Sequence, residues 1–528
     1  MLEAAVHQRR IVIAAGLCVM AFALIGVRLL DVMVFKGAVT GATVTAALKP
    51  EIPRADIVDR NGQLLARDLP VSDLYAMPHA FEDRAMAARE LAAATGANQA
   101  HLIHTFTGAH QYALVARQLT PDAIERVRQL HLPGLDFEPA TKRFYPQGEA
   151  AAQVLGVTDQ NGTGLTGLEH GLDARLRAGG SVALSLDMRV QYALTHETEA
   201  ARAEYSAKAA GGIVIDVNSG EILAMTSLPD SDTPTPGDPN PDRNRMARDV
   251  YELGSVFKIF AFTLAMQDHT TRLDETFPIG AGFKVGRFTI HDAEHMPATL
   301  AARDILALSS NAGTAQIALR SGPERQQAFL AKMGLLGVVH SELAEAAKPI
   351  YPRHWGEVET ATVGFGHGIS VSPLAFVTAA STIVNGGRRI VPTFLKRDGD
   401  ARGEQLISPE TSATMRGLLR YVVTDGTGKL ADVPGYDVGG KTGSAEKSDH
   451  GRYIAHKLLT SFCAVFPVDH PRYIVFVMLD EPHGANAEGV MALAGHTAAP
   501  LAARVIARIA PMLQVPMASL PPPAKDNS

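Results

Sequence analysis

The hydrophobic pattern begins with one long apolar stretch near the N-terminus. Residues 11–30 contain a single charged side chain, Arg28, and match the roughly 20 residues that a helix needs to cross a bilayer. Arg9 and Arg10 precede the stretch, and basic residues favour the cytoplasmic side. The pattern predicts a transmembrane anchor with a cytoplasmic tail at residues 1–10. A cleaved signal peptide is the alternative, but the small-residue cleavage pattern that it requires is missing.

After this stretch, runs of apolar residues predict two strand pairs that lie far apart in the chain. Residues 211–217 and 221–227 flank an Asn-Ser-Gly turn, and residues 458–466 and 473–479 form a second pair near the C-terminus. Helical periodicity favours helices at residues 85–94, 121–130, 255–266, 300–308, 373–384 and 498–513. Strands at both ends with helices between them indicate an antiparallel sheet covered by helices, an α+β fold class.

The same pattern divides the chain into regions. We expect a mixed α/β domain at residues 31–200, here called the pedestal, whose internal architecture the pattern leaves open. A larger domain is expected at residues 201–515, and a proline-rich polar tail at residues 516–528. A length of 528 residues agrees with two or three domains.

Composition narrows the possible functions. The chain is 46% hydrophobic and 20% charged with a net charge of −6, which is the balance of a folded protein. Basic residues form no dense block that could follow a phosphate backbone, so no nucleic-acid partner is expected. Two cysteines, Cys18 and Cys463, are too few for a disulfide framework, and Cys18 lies inside the predicted anchor.

The first candidate for chemistry is Ser255, which Lys258 follows at the start of a predicted helix. The two side chains lie one turn apart on one face. A buried lysine near another cation can lose its proton close to neutral pH and then activate a serine, while a helix N-terminus favours developing negative charge. The pattern alone is weak, because Ser444 and Lys447 repeat it. An N-capping serine followed by a surface lysine is the alternative interpretation.

Two further segments make the pattern specific. Residues 309–311 (Ser-Ser-Asn) end a predicted helix, so that a hydroxyl and an amide lie at a turn. Residues 441–444 (Lys-Thr-Gly-Ser) follow a glycine-rich strand that a substrate could approach closely. Each segment alone could be an ordinary turn. The three motifs occur in the order Ser-x-x-Lys, Ser-x-Asn and Lys-Thr-Gly, with 54 and 132 residues between their first members. This combination predicts one catalytic site.

With these motifs the chain resembles the class B penicillin-binding proteins. Residues 251–258 are similar to the family consensus around the nucleophile, with Val256 in place of the usual threonine, and Ala55 follows Arg54 where glycine is usual. Segments that resemble the family's other motifs are residues 59–66, 143–146, 167–169 and 185–187. The resemblance therefore covers nearly the whole chain. Residues 364–368 (Gly-Phe-Gly-His-Gly) are most similar to the division-specific, FtsI-type branch.

The resemblance implies a peptidoglycan D,D-transpeptidase with a serine β-lactamase-like catalytic domain behind a pedestal of the dimerisation type. Ser255 would attack the carbonyl of the penultimate D-alanine of a donor stem peptide. Lys258 would act as its base, and Ser309 would relay a proton towards the leaving group. No metal and no organic cofactor would be required.

The remaining motif residues would bind the substrate. Asn311 would hold a substrate amide, and Lys441 with Thr442 would meet the terminal carboxylate. The strand through Gly443 and Ser444 would lie along the substrate. The backbone N–H groups of Ser255 and Ser444 would form the oxyanion hole.

Partners and location follow from the same resemblance. We expect peptidoglycan stem peptides as substrates, β-lactam antibiotics as inhibitors, and a SEDS-type glycosyltransferase and other division proteins as partners. The protein would be a single-pass protein of the bacterial inner membrane, with its catalytic domain in the periplasm at the division site. The alternatives are an elongation-type class B transpeptidase, a β-lactamase, and a division scaffold without catalytic activity.

Three histidines are further candidates for a functional role. His291 and His295 have a spacing that could hold zinc on a helix, but no third ligand is evident and the segment reads as a loop. A metal site is therefore not expected. His367 lies between two glycines, and a structural role is favoured over a catalytic one.

Overall fold

The computed structural model describes residues 53–229, 244–401, 403–449, 452–483 and 492–517, together with positions 20 and 23. The chain divides into two compact units at residues 1–52 and 53–528. Apart from positions 20 and 23, the predicted anchor lies outside the described residues, as does most of the predicted C-terminal tail. Within the described residues, no helix has both the length and the apolar character needed to cross a membrane.

The described part of the pedestal is a five-stranded sheet with helices. Its elements are β1 (Asp56–Val58), β2 (Leu64–Ala76), α1 (Arg84–Thr95), α2 (Gln99–Thr107), β3 (Ala113–Leu119), α3 (Pro121–Arg128), β4 (Leu135–Phe144), α4 (Ala152–Leu155), α5 (Gly167–Gly171), α6 (Asp173–Arg177) and β5 (Ser181–Ala183). The strand order is β3-β2-β1-β5, and β4 also pairs with β2. Leu91 of α1 and Phe106 of α2 pack with Leu74 and Val115 of the sheet in one apolar core. The helices predicted at residues 85–94 and 121–130 are confirmed as α1 and α3.

A buried ion-pair cluster joins four segments of the pedestal. Glu169, which is fully buried, accepts hydrogen bonds from Arg54 Nε at 2.6 Å and from Arg143 Nε at 2.7 Å. Arg54 also pairs with Asp173 at 2.7 Å, and Arg143 pairs with Asp68 at 3.1 Å. Buried charges need such partners, because an isolated ion loses its hydration without compensation. The cluster therefore connects segments that the sequence keeps more than 100 residues apart.

The rest of the described chain contains a second sheet and its covering helices. Its elements are α7 (Met188–Glu204), β6 (Ala209–Asp216), β7 (Ile222–Leu228), α8 (Arg245–Arg248), α9 (Lys258–Gln267), β8 (Thr276–Pro278), β9 (Phe283–Val285), β10 (Phe288–Ile290), β11 (Thr299–Ala301), α10 (Ala302–Ala307), α11 (Asn311–Ser321), α12 (Pro323–Lys332), α13 (Glu357–Gly364), α14 (Pro373–Val384), α15 (Pro409–Thr424), β12 (Gly439–Asp449), β13 (Arg452–Phe466), β14 (Tyr473–Asp480) and α16 (Ala498–Met512).

Five antiparallel strands form this sheet, in the order β12-β13-β14-β6-β7. The two strand pairs predicted from the sequence thus meet at the centre, where β14 pairs with β6. Every residue of β6 and β7 is buried. This explains why both strands are continuous apolar runs and not alternating ones.

Helices cover both faces of the sheet. On one face, Leu194 of α7 and Val505 of α16 share a core with Val214 and Phe462 of the sheet. On the other face, the Phe376 ring of α14 lies 5.5 Å from the Phe476 ring of β14. Helix α14 is buried along all of its length and starts with Ser372 as its N-cap and Pro373 at its first position. The predicted antiparallel sheet covered by helices is confirmed.

Two predicted helix boundaries are wrong. Ser255 does not lie in the α-helix, because Gly254–Phe257 form a 3₁₀ turn and α9 begins at Lys258. Residues 299–301 are a short strand paired with β8, and the helix starts only at Ala302. In both places the spacing of the apolar side chains fits a helix as well as the observed turn or strand, so it does not distinguish them.

Candidate active site

A tight turn carries Ser255 and holds it next to strand β12. Gly254 has φ of +60°, and a Cβ atom at this position would lie 2.8 Å from the carbonyl oxygen of Ser444. On the strand, a Cβ atom at Gly443 would lie 2.6 Å from the carbonyl oxygen of Leu253. Glycine is required at both positions because the two backbones are in contact. The first and third motifs are therefore adjacent in space.

Ser309 lies at the point where all three motifs meet. Lys258 Nζ donates a hydrogen bond to Ser309 Oγ at 3.1 Å, and Lys441 Nζ donates to the same oxygen at 2.9 Å. Lys258 Nζ also donates to the backbone oxygen of Ser309. Ser309 has φ of +65°, a left-handed conformation that is strained for a residue with a side chain. With both of its lone pairs used, the hydroxyl can still donate its own proton.

Burial changes the protonation of both lysines. Burial, followed by repulsion from Lys441, holds the pKa of Lys258 well below its ordinary value, although Asp292 opposes the shift. Burial alone lowers the pKa of Lys441 to about 7. Removal from water disfavours the charged form of an amine. A neutral Lys258 can accept a proton near neutral pH, as a base for a serine hydroxyl must.

Asp292 holds the second motif in place. Its carboxylate accepts hydrogen bonds from Ser310 Oγ at 2.8 Å, from the backbone N–H of Ala312 at 3.1 Å, and from the backbone N–H of Asn311. Ser310 Oγ in turn caps α11 by accepting from Gly313 N–H at 3.0 Å. Sequence reasoning considered the histidines on either side of Asp292 but missed Asp292 itself, because nothing in its spacing relates it to the Ser-x-Asn segment.

The third motif forms the opposite wall of the site. Lys441 Nζ donates to the backbone oxygen of Thr442 at 3.0 Å, and the hydroxyls of Thr442 and Thr427 lie 2.7 Å apart. Ser444 Oγ accepts from the backbone N–H of Ala494 at 3.1 Å. Thr427 and Ala494 belong to connecting segments, which carry no sequence signal for a site.

The motif side chains surround a cleft of about 360 Å³. Its lining includes Ser255, Ser309, Asn311, Thr442 and Ser444. A larger cavity of about 840 Å³ opens between the β13–β14 turn and the end of α16, but it contains none of the motif residues. The smaller cleft is therefore the candidate active site, because it contains the motif side chains and the larger cavity does not.

Of the three histidines considered, one lines the cleft. Burial, followed by repulsion from Lys258, lowers the pKa of His367 to about 4, and its buried Nδ1 has no hydrogen-bond partner among the described residues. His291 and His295 lie in the loop after β10. Within the described ranges, no group of three or more His, Cys, Asp or Glu side chains could hold a metal ion.

The fold and this arrangement of the three motifs define a penicillin-recognising enzyme. The sequence model of the penicillin-binding protein dimerisation domain matches residues 49–183, and that of the penicillin binding protein transpeptidase domain matches residues 210–507. The chain belongs to the penicillin-binding protein family, in its class B branch.

Similar proteins agree with this assignment. The chain is 40% identical to the probable peptidoglycan D,D-transpeptidase FtsI of Caulobacter vibrioides, over 88% of this chain and 82% of that protein. It is 31% identical to the probable peptidoglycan D,D-transpeptidase PenA of Neisseria meningitidis, over 82% and 81%. A crystal structure of penicillin binding protein 3 from Mycobacterium tuberculosis with aztreonam has a TM-score of 0.69 at 26% identity, over 89% and 98% of the two chains.

Proposed function

We propose that this chain is a serine D,D-transpeptidase that cross-links peptidoglycan stem peptides through an acyl-enzyme at Ser255. The observation that carries the proposal is the position of Ser309 Oγ, which accepts hydrogen bonds from Lys258 and from Lys441 in the cleft that Ser255 lines. The names of the similar proteins from Caulobacter and Neisseria support the same reaction.

Acylation begins at Ser255. Its Oγ bonds to the carbonyl carbon of the penultimate D-alanine, and its proton passes to the neutral Lys258 Nζ. The bond from this carbon to the nitrogen of the terminal D-alanine then breaks. That nitrogen takes a proton from Lys258 through Ser309 Oγ, which contacts the lysine at 3.1 Å. The terminal D-alanine leaves, and the stem peptide remains as an ester on Ser255.

Negative charge develops on the attacked carbonyl oxygen during this step. The backbone N–H groups of Ser255 and Ser444 supply the oxyanion hole, and one such donor is typically worth about 3 to 4 kcal/mol of barrier. The close contact of the two backbones at Gly254 supports this pairing. Because both donors belong to the backbone, their positions do not depend on side-chain rotamers.

Substrate binding uses the remaining motif residues. Asn311 holds an amide of the donor stem, and Lys441 with Thr442 receives its terminal carboxylate. A bound carboxylate favours the protonated form of Lys441 and offsets the pKa lowering due to burial. Gly443 lets the donor backbone lie close to β12.

Transfer completes the reaction. An amine of a second stem peptide attacks the ester carbonyl and forms an amide bond, while the bond to Ser255 Oγ breaks. The proton that the amine loses reaches Ser255 Oγ through Lys258. β-Lactams mimic the D-alanyl-D-alanine end and acylate the same serine. Penicillin binding protein 3 of Mycobacterium tuberculosis, whose crystal structures contain aztreonam or ampicillin, supports this point.

The test is covalent labelling with a fluorescent penicillin. We expect a labelled band from the unaltered chain and no label in Ser255→Ala. Ser181→Ala, which changes an exposed serine of β5, is the matched control and should be labelled fully. Label that persists in Ser255→Ala contradicts the role of Ser255. Rapid release of the label with turnover of a chromogenic cephalosporin favours a β-lactamase instead.

We further propose that the protein works at the division site as a single-pass inner-membrane protein whose catalytic domain is periplasmic. The similarity to FtsI of Caulobacter supports this placement. Midcell enrichment of a fluorescent fusion is expected, and a lateral distribution favours an elongation role. The domain boundaries at residues 11–30, 31–200 and 201–515 stay predictions.

A non-catalytic scaffold role predicts that Ser255→Ala still supports division in a depleted strain. For the transpeptidase we expect no complementation.

A SEDS-type glycosyltransferase is proposed as the partner that polymerises the glycan strands, and failure of the two proteins to co-purify contradicts that pairing.

A further inference from the structure

Burial lowers the pKa of three basic side chains close to Ser255 and so reduces their positive charge. Burial holds the pKa of Lys258 well below its ordinary value and lowers that of Lys441 to about 7. His367, on the wall of the cleft, has a pKa lowered to about 4 by burial and by repulsion from Lys258. The cleft therefore repels an incoming cation less than its composition suggests.

Among the described residues that line the cleft, Glu294 is the only acid and Lys429 the only lysine. The Glu294 side chain is exposed to solvent, and within the described ranges it has no hydrogen-bond or ion-pair partner. Lys429 begins the 3₁₀ turn Lys429–Ala431, close to Thr427, whose hydroxyl contacts Thr442. Lys429 thus lies near the proposed carboxylate-binding residues, whereas Glu294 lies in a different segment of the cleft lining.

Glu294 lies two residues after Asp292, which anchors this loop to the second motif. Asp292 is bound to the segment that carries Ser309 and Asn311, through Ser310 Oγ at 2.8 Å and Ala312 N–H at 3.1 Å. Glu294 follows two residues later and lines the same cleft as Ser255. A carboxylate on an anchored loop loses less conformational entropy on binding than one on a loose loop.

The proposed reaction brings two charged groups into this cleft, the carboxylate of the donor and the amine of the acceptor. An unhindered primary amine is mostly protonated near neutral pH before it reacts. We infer that Glu294 binds the protonated primary amine of the acyl acceptor and guides it to the acyl-enzyme, a specificity-determining role that rests on the proposed function. The amine then gives one proton to water, attacks the ester carbonyl, and gives its second proton to Lys258.

The test compares two acceptors on the full chain. A thioester donor acylates Ser255, and the acyl group is then transferred to an amine or hydrolysed. Glycinamide is mostly protonated at pH 7, whereas hydroxylamine is mostly neutral. In Glu294→Gln we expect the ratio of transfer to hydrolysis to fall about tenfold with glycinamide, the effect of losing one charge-assisted hydrogen bond, and to change little with hydroxylamine. Glu294→Asp, which keeps the charge, should recover part of the loss.

Glu324→Gln is the matched control, because it removes an equal charge from an exposed position in the first turn of α12, outside the cleft lining. It should leave both ratios unchanged. An equal loss with both acceptors, or no loss with glycinamide, overturns the role of Glu294. A larger effect of Glu294→Gln on penicillin acylation than on transfer also overturns it, because the residue would then act on the donor side. If the unaltered chain forms the acyl-enzyme but transfers it to neither amine, the proposed function itself fails.

Discussion

Lys441 Nζ lies 2.9 Å from Ser309 Oγ, although 132 residues separate the two in the chain. Lys258 donates to the same oxygen, so the hydroxyl connects the proposed base to the proposed carboxylate-binding lysine. The contact also places Lys441 close enough to repel a charge on Lys258, and this repulsion adds to the effect of burial in lowering the pKa of Lys258. The contact places all three motifs in one hydrogen-bonded centre.

Replacing Lys258 with methionine tests its role as a base. Methionine has a similar volume and no charge, so the buried site should stay packed and the fold should keep its stability. Loss of a positioned base typically lowers a rate about 10²- to 10⁴-fold, and we expect penicillin acylation to fall in that range. Stopped-flow or gel-based acylation kinetics measure the rate, with thermal melting as the check on folding. Acylation at the rate of the unaltered protein contradicts the assignment.

The pH dependence of acylation follows from the two lysines. Lys258 must be neutral to act, and burial with repulsion from Lys441 favours the neutral form by lowering its pKa. Lys441 must be protonated to bind a carboxylate, and in the free enzyme it loses its proton above about pH 7. The second-order rate of acylation should therefore fall as the pH rises above about 7, and fall again at acid pH as Lys258 is protonated. A rate that keeps rising between about pH 7 and 9 is the contrary result.

Two substitutions of Ser309 can separate the effect of backbone strain from the effect of losing the hydroxyl. Ser309→Ala and Ser309→Gly both remove the oxygen that accepts from Lys258 and Lys441, so both should slow acylation about 10²-fold or more. Only glycine relieves the left-handed backbone, at φ of +65°. We expect Ser309→Gly to be more stable than Ser309→Ala by about 1 kcal/mol in denaturant unfolding. Equal stabilities would show that the turn is not strained.

Alanine substitutions at two glycines test the packing around the turn that carries Ser255. A Cβ atom at Gly366, where φ is +87°, would lie 2.1 Å from the carbonyl oxygen of Gly254, whereas at Gly386, where φ is +92°, it would meet nothing within 4 Å. Both alanine variants carry a similar backbone penalty, of about 1 kcal/mol. Only Gly366→Ala should displace Ser255 and reduce acylation. Matching acylation rates for the two variants, measured at a temperature where both are folded, would rule out this contact as a support of the site.

The stability of the pedestal should depend on Glu169. Replacing it with glutamine leaves Arg54 and Arg143 buried without their shared carboxylate, which we expect to cost about 3 kcal/mol of unfolding free energy. Asp56→Asn, in the exposed pair with Arg67, is the control and should have a much smaller effect. Urea denaturation of both variants provides the comparison. A similar small change in the two would mean that the buried cluster contributes little.

Many of the secondary-structure elements could be predicted from the sequence. The bounds predicted for α14 agree with the observed ones, since Ser372 and Pro373 stand at its start and every residue after them is apolar or small. The apolar runs on either side of the Asn-Ser-Gly turn predict β6 and β7, and the two strands pair as expected. The predicted start of α9 is too early, since the turn at Gly254 depends on contact with Ser444 on a distant strand. That information is absent from any local window of sequence.

The sequence by itself determined which chemical groups are available, because the three motifs are short and each is encoded by adjacent residues. Only the tertiary structure decided which groups join them and in what state of charge. Glu294, Thr427 and His367 line the cleft, and Asp292 binds the segment after Ser309, because sheet and helix packing brings their segments together. The pKa of a lysine depends on the water and charges around it, and for Lys258 and Lys441 that environment exists only once β12, α9 and the Ser309 turn have come together.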